Sequence, residues 1–227
     1  MTVQITWLGH AAFLIEAPEG NTLIDPFITQ NPRATITLED LPKIHMILVT
    51  HAHGDHLGDT KAIAEKHDAL VVSTVEVVNW LKRQGVRRVH GQQAGGAYTH
   101  PAGRVKLTPA FHGSSLPDGS YGGQPVGVIL EVLGKKIYHA GDTSIFGDME
   151  LLAPMQIDLA LLPIGDNFTM GPEDAILACS LIRPKMVLPM HYGTWPVINV
   201  SPELFIKGAE RSGHRVVKYS VNESFQL

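Results

Sequence analysis

The feature that most constrains this chain is a dense cluster of metal-binding side chains at residues 51–56, with the sequence HAHGDH. It directly follows residues 44–49, a compact apolar run with β-branched residues that predicts a buried strand. Side chains two apart in extended backbone point to one side, so His51 and His53 can reach the same ion. A glycine then lets the chain turn, and the following Asp–His pair suits a second ion. The cluster therefore predicts a metal site at the end of a buried strand.

The ligand types in this cluster favour a catalytic metal over a structural one. A structural zinc site would more often use cysteines, and the chain has one, Cys179, which we interpret as a small buried side chain. Ligand sets without thiolates leave coordination positions open to water. The alternative is a polar surface loop, which three histidines and an aspartate placed directly after a buried strand disfavour.

Composition narrows the class of protein. The chain has 227 residues, of which 44% are hydrophobic and 18% charged, so a sizeable buried core is expected. The net charge of −4 gives no sign of a dedicated nucleic-acid-binding surface. No run of about 18 apolar residues predicts a membrane span. With one cysteine and no apolar signal core at the N-terminus, we expect a cytoplasmic protein.

Short strands and turns fill the first third of the chain, and strands then alternate with helices in both halves. Helices are predicted from Asp59 to about residue 67, from a capping box at residues 73–76 to about residue 83, over residues 172–182, and from Ser201. This order predicts an α/β fold of two mixed sheets packed face to face, in a single domain over residues 1–227. Strands are predicted over residues 3–7, 12–17, 22–24, 44–49, 70–72, 88–90, 104–110, 126–132, 136–140, 157–163, 186–189, 216–219 and 224–227.

The cluster at residues 51–56 resembles the HxHxDH signature of the metallo-β-lactamase superfamily. Later motifs match this family in order: His112 follows a strand, Asp142 lies in a Gly-Asp-Thr turn, and His191 follows a late buried strand. An early aspartate that supports the cluster matches Asp25. The match spans nearly the whole chain, and it implies a four-layer αββα sandwich with the site at one edge of the two sheets.

The resemblance also implies a set of ligands for two divalent ions, with Zn²⁺ or Mn²⁺ first and Ni²⁺ or Fe²⁺ also compatible. Two ions about 3.5–4 Å apart can share a hydroxide that attacks the substrate, and Asp55 could steer that hydroxide. One ion would be held by His51, His53 and His112, the other by Asp55, His56 and His191, with Asp142 bridging both and Asp25 supporting them.

Two further segments narrow the branch of the family. Residues 7–11 (WLGHA) resemble the branch that contains ascorbate-phosphate lactonase and N-acyl-phosphatidylethanolamine phospholipase D. Residues 163–172 resemble a group of small bacterial and archaeal metal-dependent hydrolases. In this resemblance His10 lies close to the metals. One hypothesis is a direct role, in which His10 donates a proton to the leaving group or binds a phosphate. The other is a supporting hydrogen bond, and the sequence does not decide between them.

Three other residues are candidates for the substrate pocket. Asn167 and Thr169 precede a predicted helix start, where backbone N–H groups attract anions, although an ordinary helix cap explains the same residues and is the preferred interpretation. Trp195 follows His191 and could wall the site, with aromatic loop packing as the competing view.

The leading functional hypothesis is hydrolysis of a small-molecule or short phosphodiester substrate, because two ions can hold both the attacking and the leaving oxygen. A lactone or another carboxylic ester is the enzymatic alternative. A non-catalytic metal or nucleotide-binding module is an alternative of another class, which the presence of all seven ligand positions disfavours. An iron redox enzyme is a weaker third, and a homo-oligomer is compatible with the sequence.

Overall fold

Two mixed β-sheets lie face to face in the computed structural model, which describes residues 2–227. Strands are numbered along the chain and given in their spatial order. The first sheet contains β13 (Ser224–Gln226), β1 (Gln4–Gly9), β2 (Ala12–Glu16), β3 (Thr22–Ile24), β4 (Met46–Leu48), β5 (Leu70–Thr74) and β6 (Val89–Gln92). The second contains β12 (Met186–Met190), β11 (Leu159–Pro163), β10 (Lys135–His139), β9 (Val126–Val132), β8 (Gly103–Pro109) and β7 (Ala97–His100).

The longer helices cover the outer faces of the two sheets. On the first sheet, Ile63 of α2 and Leu81 of α3 share one buried apolar cluster with Ile47 of β4. On the second sheet, Cys179 of α4 and Phe205 of α5 are fully buried in a cluster with strand residues. The α-helices are α1 (Gly54–Leu57), α2 (Thr60–His67), α3 (Val75–Arg83), α4 (Pro172–Ile182) and α5 (Pro202–Arg211), and short 3-10 helices cover Gly147–Met155 and Pro196–Ile198.

A third apolar cluster fills the space between the sheets. Phe13 and Leu48 of the first sheet meet Leu130 and Leu161 of the second, all without solvent exposure. Burying one such side chain stabilises the fold by about 1.5–3 kcal/mol. The layers therefore follow the order helix, sheet, sheet, helix, which confirms the predicted αββα sandwich. Within the described part of the chain, none of the helices has the length and apolar character needed to traverse a lipid bilayer.

Strand direction determines where the polar segments meet. In the first sheet β1, β3 and β4 run the same way, because β2 is antiparallel to both of its neighbours and β3 is parallel to β4. In the second sheet β8, β10 and β12 share a direction for the same reason. Each of these six strands is followed by a predicted site residue. The fold therefore positions the candidate site at one edge of the sandwich.

Some element predictions were wrong or incomplete. The strand β5 continues through Ser73, whose Oγ donates to the Val49 carbonyl at 2.8 Å, so helix α3 starts after Thr74 and the predicted capping box does not form. Residues 216–219 form one isolated bridge, Val187 to Val216, in place of the predicted strand. The edge strand β7 and the four-residue helix α1 were missed, because a polar edge strand and a single helical turn carry no apolar periodicity.

Candidate metal centre

The first predicted ligand group, His51, His53 and His112, comes together at the sheet edge. His51 Nε2 lies 3.0 Å from His53 Nδ1, and one potential ligand atom from each of the three residues falls within 4.8 Å of the others. Burial and the neighbouring His56 hold the pKa of His51 well below its usual range. Burial likewise lowers the pKa of His112. The imidazoles of His51 and His112 are therefore neutral, which is the form that binds metal.

The second predicted group also assembles, with one addition. Asp55 Oδ2 lies 3.7 Å from Nε2 of both His56 and His191. His10 joins this group, since its Nε2 is 3.0 Å from the same oxygen and its potential ligand atom falls within the same 4.8 Å set. Although burial opposes it, the charge of His56 and the hydrogen bond from His10 hold the pKa of Asp55 below its usual range. This carboxylate is therefore ionised, and its side chain retains 24% exposure.

Asp142 lies between the two groups. Its Oδ2 is 3.5 Å from His112 Nε2 and 3.0 Å from His191 Nε2, and its Oδ1 is 3.2 Å from His56 Nε2. Burial opposes the charge on Asp142, but His191 and His56 outweigh it and hold the pKa well below its usual range. The preceding Gly141 has φ +63°, and a Cβ there would lie 2.7 Å from the Val126 carbonyl oxygen. The tight Gly-Asp-Thr turn therefore requires this glycine.

The buried polar atoms of this cluster fit a cation. Among the described residues, His56 Nε2, Asp142 Oδ1 and both ring nitrogens of His191 are buried and make no well-directed hydrogen bond, although His56 Nε2 and His191 Nε2 lie 3.2 and 3.0 Å from oxygens of Asp142. Leaving one such atom unsatisfied costs about 1–3 kcal/mol. Imidazole nitrogens and carboxylate oxygens at this density are a donor set that zinc and similar divalent ions accept. The chemistry of the site therefore matches a metal centre.

Asp25 supports the cluster from behind. It is fully buried, and its Oδ2 accepts hydrogen bonds from His56 Nδ1 at 2.7 Å and from Thr50 Oγ1 at 2.7 Å. Its Oδ1 accepts from the backbone N–H of Thr50 at 2.8 Å. The bond to Nδ1 fixes the His56 ring so that Nε2 points toward Asp142. A carboxylate behind a histidine in this way orients the ring and raises its basicity as a ligand.

His10 is enclosed at the second group. It is fully buried at φ 55°, with Nε2 3.0 Å from Asp55 Oδ2 and Nδ1 2.8 Å from Thr194 Oγ1. Burial, reinforced by the charge of His191, lowers the pKa of His10 to about 4. The ring is therefore neutral near pH 7. It donates to the Asp55 carboxylate and accepts from the Thr194 hydroxyl.

The sequence profile of the beta-lactamase superfamily domain matches residues 20–192 of the chain. The chain belongs to the metallo-β-lactamase superfamily. It is 48% identical over 211 residues to a UPF0173 metal-dependent hydrolase of Thermus thermophilus, which covers 93% of each chain. A UPF0173 metal-dependent hydrolase of Pelotomaculum thermopropionicum is 47% identical over 231 residues, covering 99% of this chain and 100% of that one.

A solved structure supports the same assignment. Igni18, described as a novel metallo hydrolase from the hyperthermophilic archaeon Ignicoccus hospitalis, superposes with a TM-score of 0.91. It is 37% identical and covers 100% of this chain and 99% of that one. The predicted superfamily and the resemblance to small metal-dependent hydrolases are therefore confirmed. This superfamily member is a metal-dependent hydrolase with a His/Asp cluster able to bind metal.

The predicted pocket residues of this superfamily member have different surroundings. Trp195 is half-buried, and its ring centroid is 5.0 Å from that of His10. Asn167 is exposed, and Thr169 lies in a turn where its N–H donates to the Asp166 carbonyl at 2.8 Å. The next N–H, of Met170, donates to the Thr143 carbonyl at 2.9 Å. The turn is therefore hydrogen-bonded to the segment that carries Asp142.

Two residues of the site were missed in the sequence. Thr194 holds the ring of His10 across a separation of 184 residues. Phe27 places its ring edge-on to His10 with a centroid distance of 5.8 Å, and it lies 6.0 Å from the ring of Trp195. Neither residue belongs to a motif, and only the assembled fold brings them to the site. A lone threonine and a lone phenylalanine carry no signal that could have identified them.

Proposed function

We propose that this chain is a binuclear metal-dependent hydrolase whose substrate is a small or short phosphodiester. The observation that carries the proposal is the position of Asp142 between two groups of ligands. Its two oxygens lie 3.0–3.5 Å from nitrogens of His112, His56 and His191. A carboxylate with neighbours on both sides can bridge two ions. We assign one ion to the group of His51 and the other to the group of Asp55.

When bound, the ions would supply Lewis-acid polarisation of the scissile group and would lower the pKa of a water molecule toward neutrality. The residues of the chain orient the reactants. Asp55 is ionised and partly exposed, and its Oδ2 is engaged by His10. Its Oδ1 would accept a hydrogen bond from the attacking water and hold it toward the substrate.

For His10 we propose a positioning role rather than proton donation. Both of its ring nitrogens are within hydrogen-bond distance of protein partners, and its lowered pKa leaves it neutral near pH 7. A neutral, fully enclosed imidazole is a poor general acid. With one ring nitrogen held by the Thr194 hydroxyl and the other bonded to Asp55 Oδ2, His10 would set the direction of that carboxylate.

The surroundings of the cluster support a compact substrate. A cavity of about 260 Å³ lies beside helix α1 and is lined in part by Phe27, Thr29 and Gln30. Phe27 and Trp195 provide an aromatic wall next to His10. A volume of this kind accommodates one substituent of a phosphodiester rather than a polymer. We propose that the leaving group or the remaining alcohol occupies this cavity.

The test combines metal analysis with a substrate comparison. Wild-type protein loaded with Zn²⁺ or Mn²⁺ is expected to bind two ions per chain and to hydrolyse bis(4-nitrophenyl) phosphate. Asp142→Asn should reduce both the bound metal and the rate, the rate by more than about a hundredfold. Asp148→Asn removes an exposed carboxylate from the following 3-10 helix and is the matched control. It should change neither quantity.

Other results would support the alternative functions. Turnover of a lactone or of 4-nitrophenyl acetate without diesterase activity would identify a carboxylic ester hydrolase. Absence of bound metal, together with activities that Asp142→Asn leaves unchanged, would indicate a non-catalytic binding module. One bound ion per chain in the wild type would refute the binuclear assignment. Visible absorption from iron would point to redox chemistry.

A further inference from the structure

A second, larger cavity lies near the metal centre but has its own walls. Its volume is about 760 Å³, within the range of small-molecule sites. Trp7, Tyr192 and Tyr219 provide aromatic walls, and Asn199 and Ser220 add polar groups. Such a mixture of aromatic surface and a few polar side chains is typical of ligand-binding pockets.

The charge of this cavity has one sign. Arg33 lines it, and the residues described there include no aspartate or glutamate. Over residues 2–227, the ion pairs of the structure do not include the Arg33 guanidinium. Tyr192, whose hydroxyl can donate a hydrogen bond, lines the same cavity as Arg33. An unpaired guanidinium in such a cavity is suited to a phosphate or carboxylate group.

The cavity and the metal centre share backbone. A Cβ on Gly193 would lie 3.3 Å from Arg33 Nη1, and Gly193 is two residues after His191. On the other side, a Cβ on Gly9 would lie 3.2 Å from Arg33 Cβ, and Gly9 precedes His10. Arg33 therefore lies next to the two segments that carry His10 and His191 into the metal centre. The cavity is a neighbour of that centre rather than part of it.

We propose that this cavity binds the anionic group, phosphate or carboxylate, of a small molecule that also has an apolar or aromatic part. Arg33 forms the ion pair, the hydroxyl of Tyr192 donates a hydrogen bond, and the aromatic walls cover the apolar part. The anionic group belongs either to a remote portion of the substrate or to a separate small molecule. The site is defined by direct binding and does not depend on the hydrolytic reaction proposed above.

Phenylphosphonate is a suitable probe, because it carries a ring and a phosphate-like group and contains no hydrolysable ester. Its binding to the zinc-loaded protein is followed by NMR through the backbone amides of Gly193, Asn199 and Ser220. Arg33→Gln should lower the affinity for phenylphosphonate, obtained from the chemical shifts of these amides, about tenfold to a hundredfold, which is the loss expected for one hydrogen-bonded charge. Arg83→Gln removes an exposed arginine from α3 at the far end of the first sheet and should leave it unchanged.

Several outcomes decide the proposal. Equal affinities of the Arg33→Gln and Arg83→Gln variants for phenylphosphonate would overturn it. Amide chemical-shift changes confined to residues around Asp55 and Asp142 would overturn it as well. Lack of saturable binding at concentrations on the order of 10 mM would overturn it too, since that limit corresponds to negligible affinity. Because Arg33 is exposed and its side chain makes no ion pair, its replacement should leave the fold intact, which circular dichroism checks.

Kinetics then distinguish the two sources of the anion. If the group belongs to the substrate, Arg33→Gln raises KM for a diester that carries a second anionic group and leaves KM for a diester without one unchanged. If a separate molecule binds, Arg33→Gln changes neither KM, and phenylphosphonate shifts the Gly193 amide without competing for substrate. Failure of the hydrolase proposal would leave the NMR result standing, so the two ideas are refuted separately.

Discussion

The hydroxyl of Thr50 offers a sharp test of how the metal centre is supported. Its Oγ1 donates to Asp25 Oδ2 at 2.7 Å and lies 3.1 Å from His51 Nδ1. Because the hydroxyl proton goes to the carboxylate, its oxygen must accept from the Nδ1–H of His51. This chain of bonds leaves Nε2 of His51 unprotonated toward the ligand group. Thr50→Val keeps the shape of the side chain and removes both bonds.

The magnitude follows from the two bonds. A hydrogen bond to a buried charged group contributes about 1.5–3 kcal/mol and a neutral one about 0.5–1.5 kcal/mol. We therefore expect Thr50→Val to lower the free energy of unfolding by about 2–4 kcal/mol, measured by denaturant titration of the metal-free protein. Since His51 would lose the group that fixes its tautomer, metal affinity should fall about 10–100-fold in a chelator competition.

Thr22→Val is the matched control for this variant. Thr22 is equally buried on β3, but its Oγ1 has no hydrogen-bond partner within the described residues. Removing a buried unsatisfied hydroxyl is neutral or stabilising. If the two valine variants differed by less than about 0.5 kcal/mol, the bonds of Thr50 would contribute nothing specific, and the reasoning would be refuted.

Three further predictions concern other parts of the chain. Gly165→Ala should lower both stability and metal occupancy, because its Cβ would overlap the carbonyl oxygen of His191, while Gly147→Ala, whose Cβ meets open space, should change neither. Metal binding near neutral pH should release protons, measured calorimetrically in buffers of different ionisation enthalpy. Burial opposes charge on His191 and His56, but Asp142 raises the pKa of His191 to about 9 and that of His56 well above its usual range, so metal must displace a proton from each. The part of the release that comes from His191 should fall as pH rises through its pKa of about 9. Burial raises the pKa of the Cys179 thiol to about 12, so a thiol reagent should label it only after unfolding.

The sequence was most informative where the chemistry is local. The cluster at residues 51–56 holds four candidate ligands on one short segment, and a buried strand precedes it. Spacing alone therefore predicted metal binding. The other candidates, His112, Asp142 and His191, required the family resemblance, because each stands alone after a strand and no local pattern links it to the cluster. The succession of strands and helices was predictable for the same reason as the cluster, since strand runs are local signals, whereas the αββα layering was what the family resemblance implied.

The supporting residues were not predictable in this way. Thr194 contacts His10 across 184 residues of chain, and the two acquire their relation only when β1 and β12 end at the same edge of the sandwich. The proposed anion-binding role of Arg33 rests on the lack of an aspartate or glutamate around it in the cavity. The sequence does not show which residues surround a side chain in the fold. Helix α1 escaped detection because four residues cannot show a period of 3.6.

Backbone conformation joins these residues into one unit. His10, Asp25 and His191 each directly follow the end of a strand, and each adopts a left-handed φ, of 55°, 46° and 57°. For a residue other than glycine this conformation costs about 1–2 kcal/mol, and glycine would adopt it without that cost. Glycine, however, would remove an imidazole or carboxylate from the cluster. The N–H of His191 donates to the His10 carbonyl at 3.0 Å, so the two strained turns stabilise each other. The unfavourable backbone conformation at these three residues is explained by the imidazole or carboxylate that each places in the metal centre. Because His191 is hydrogen-bonded to His10, a change in the backbone of either residue would displace the other.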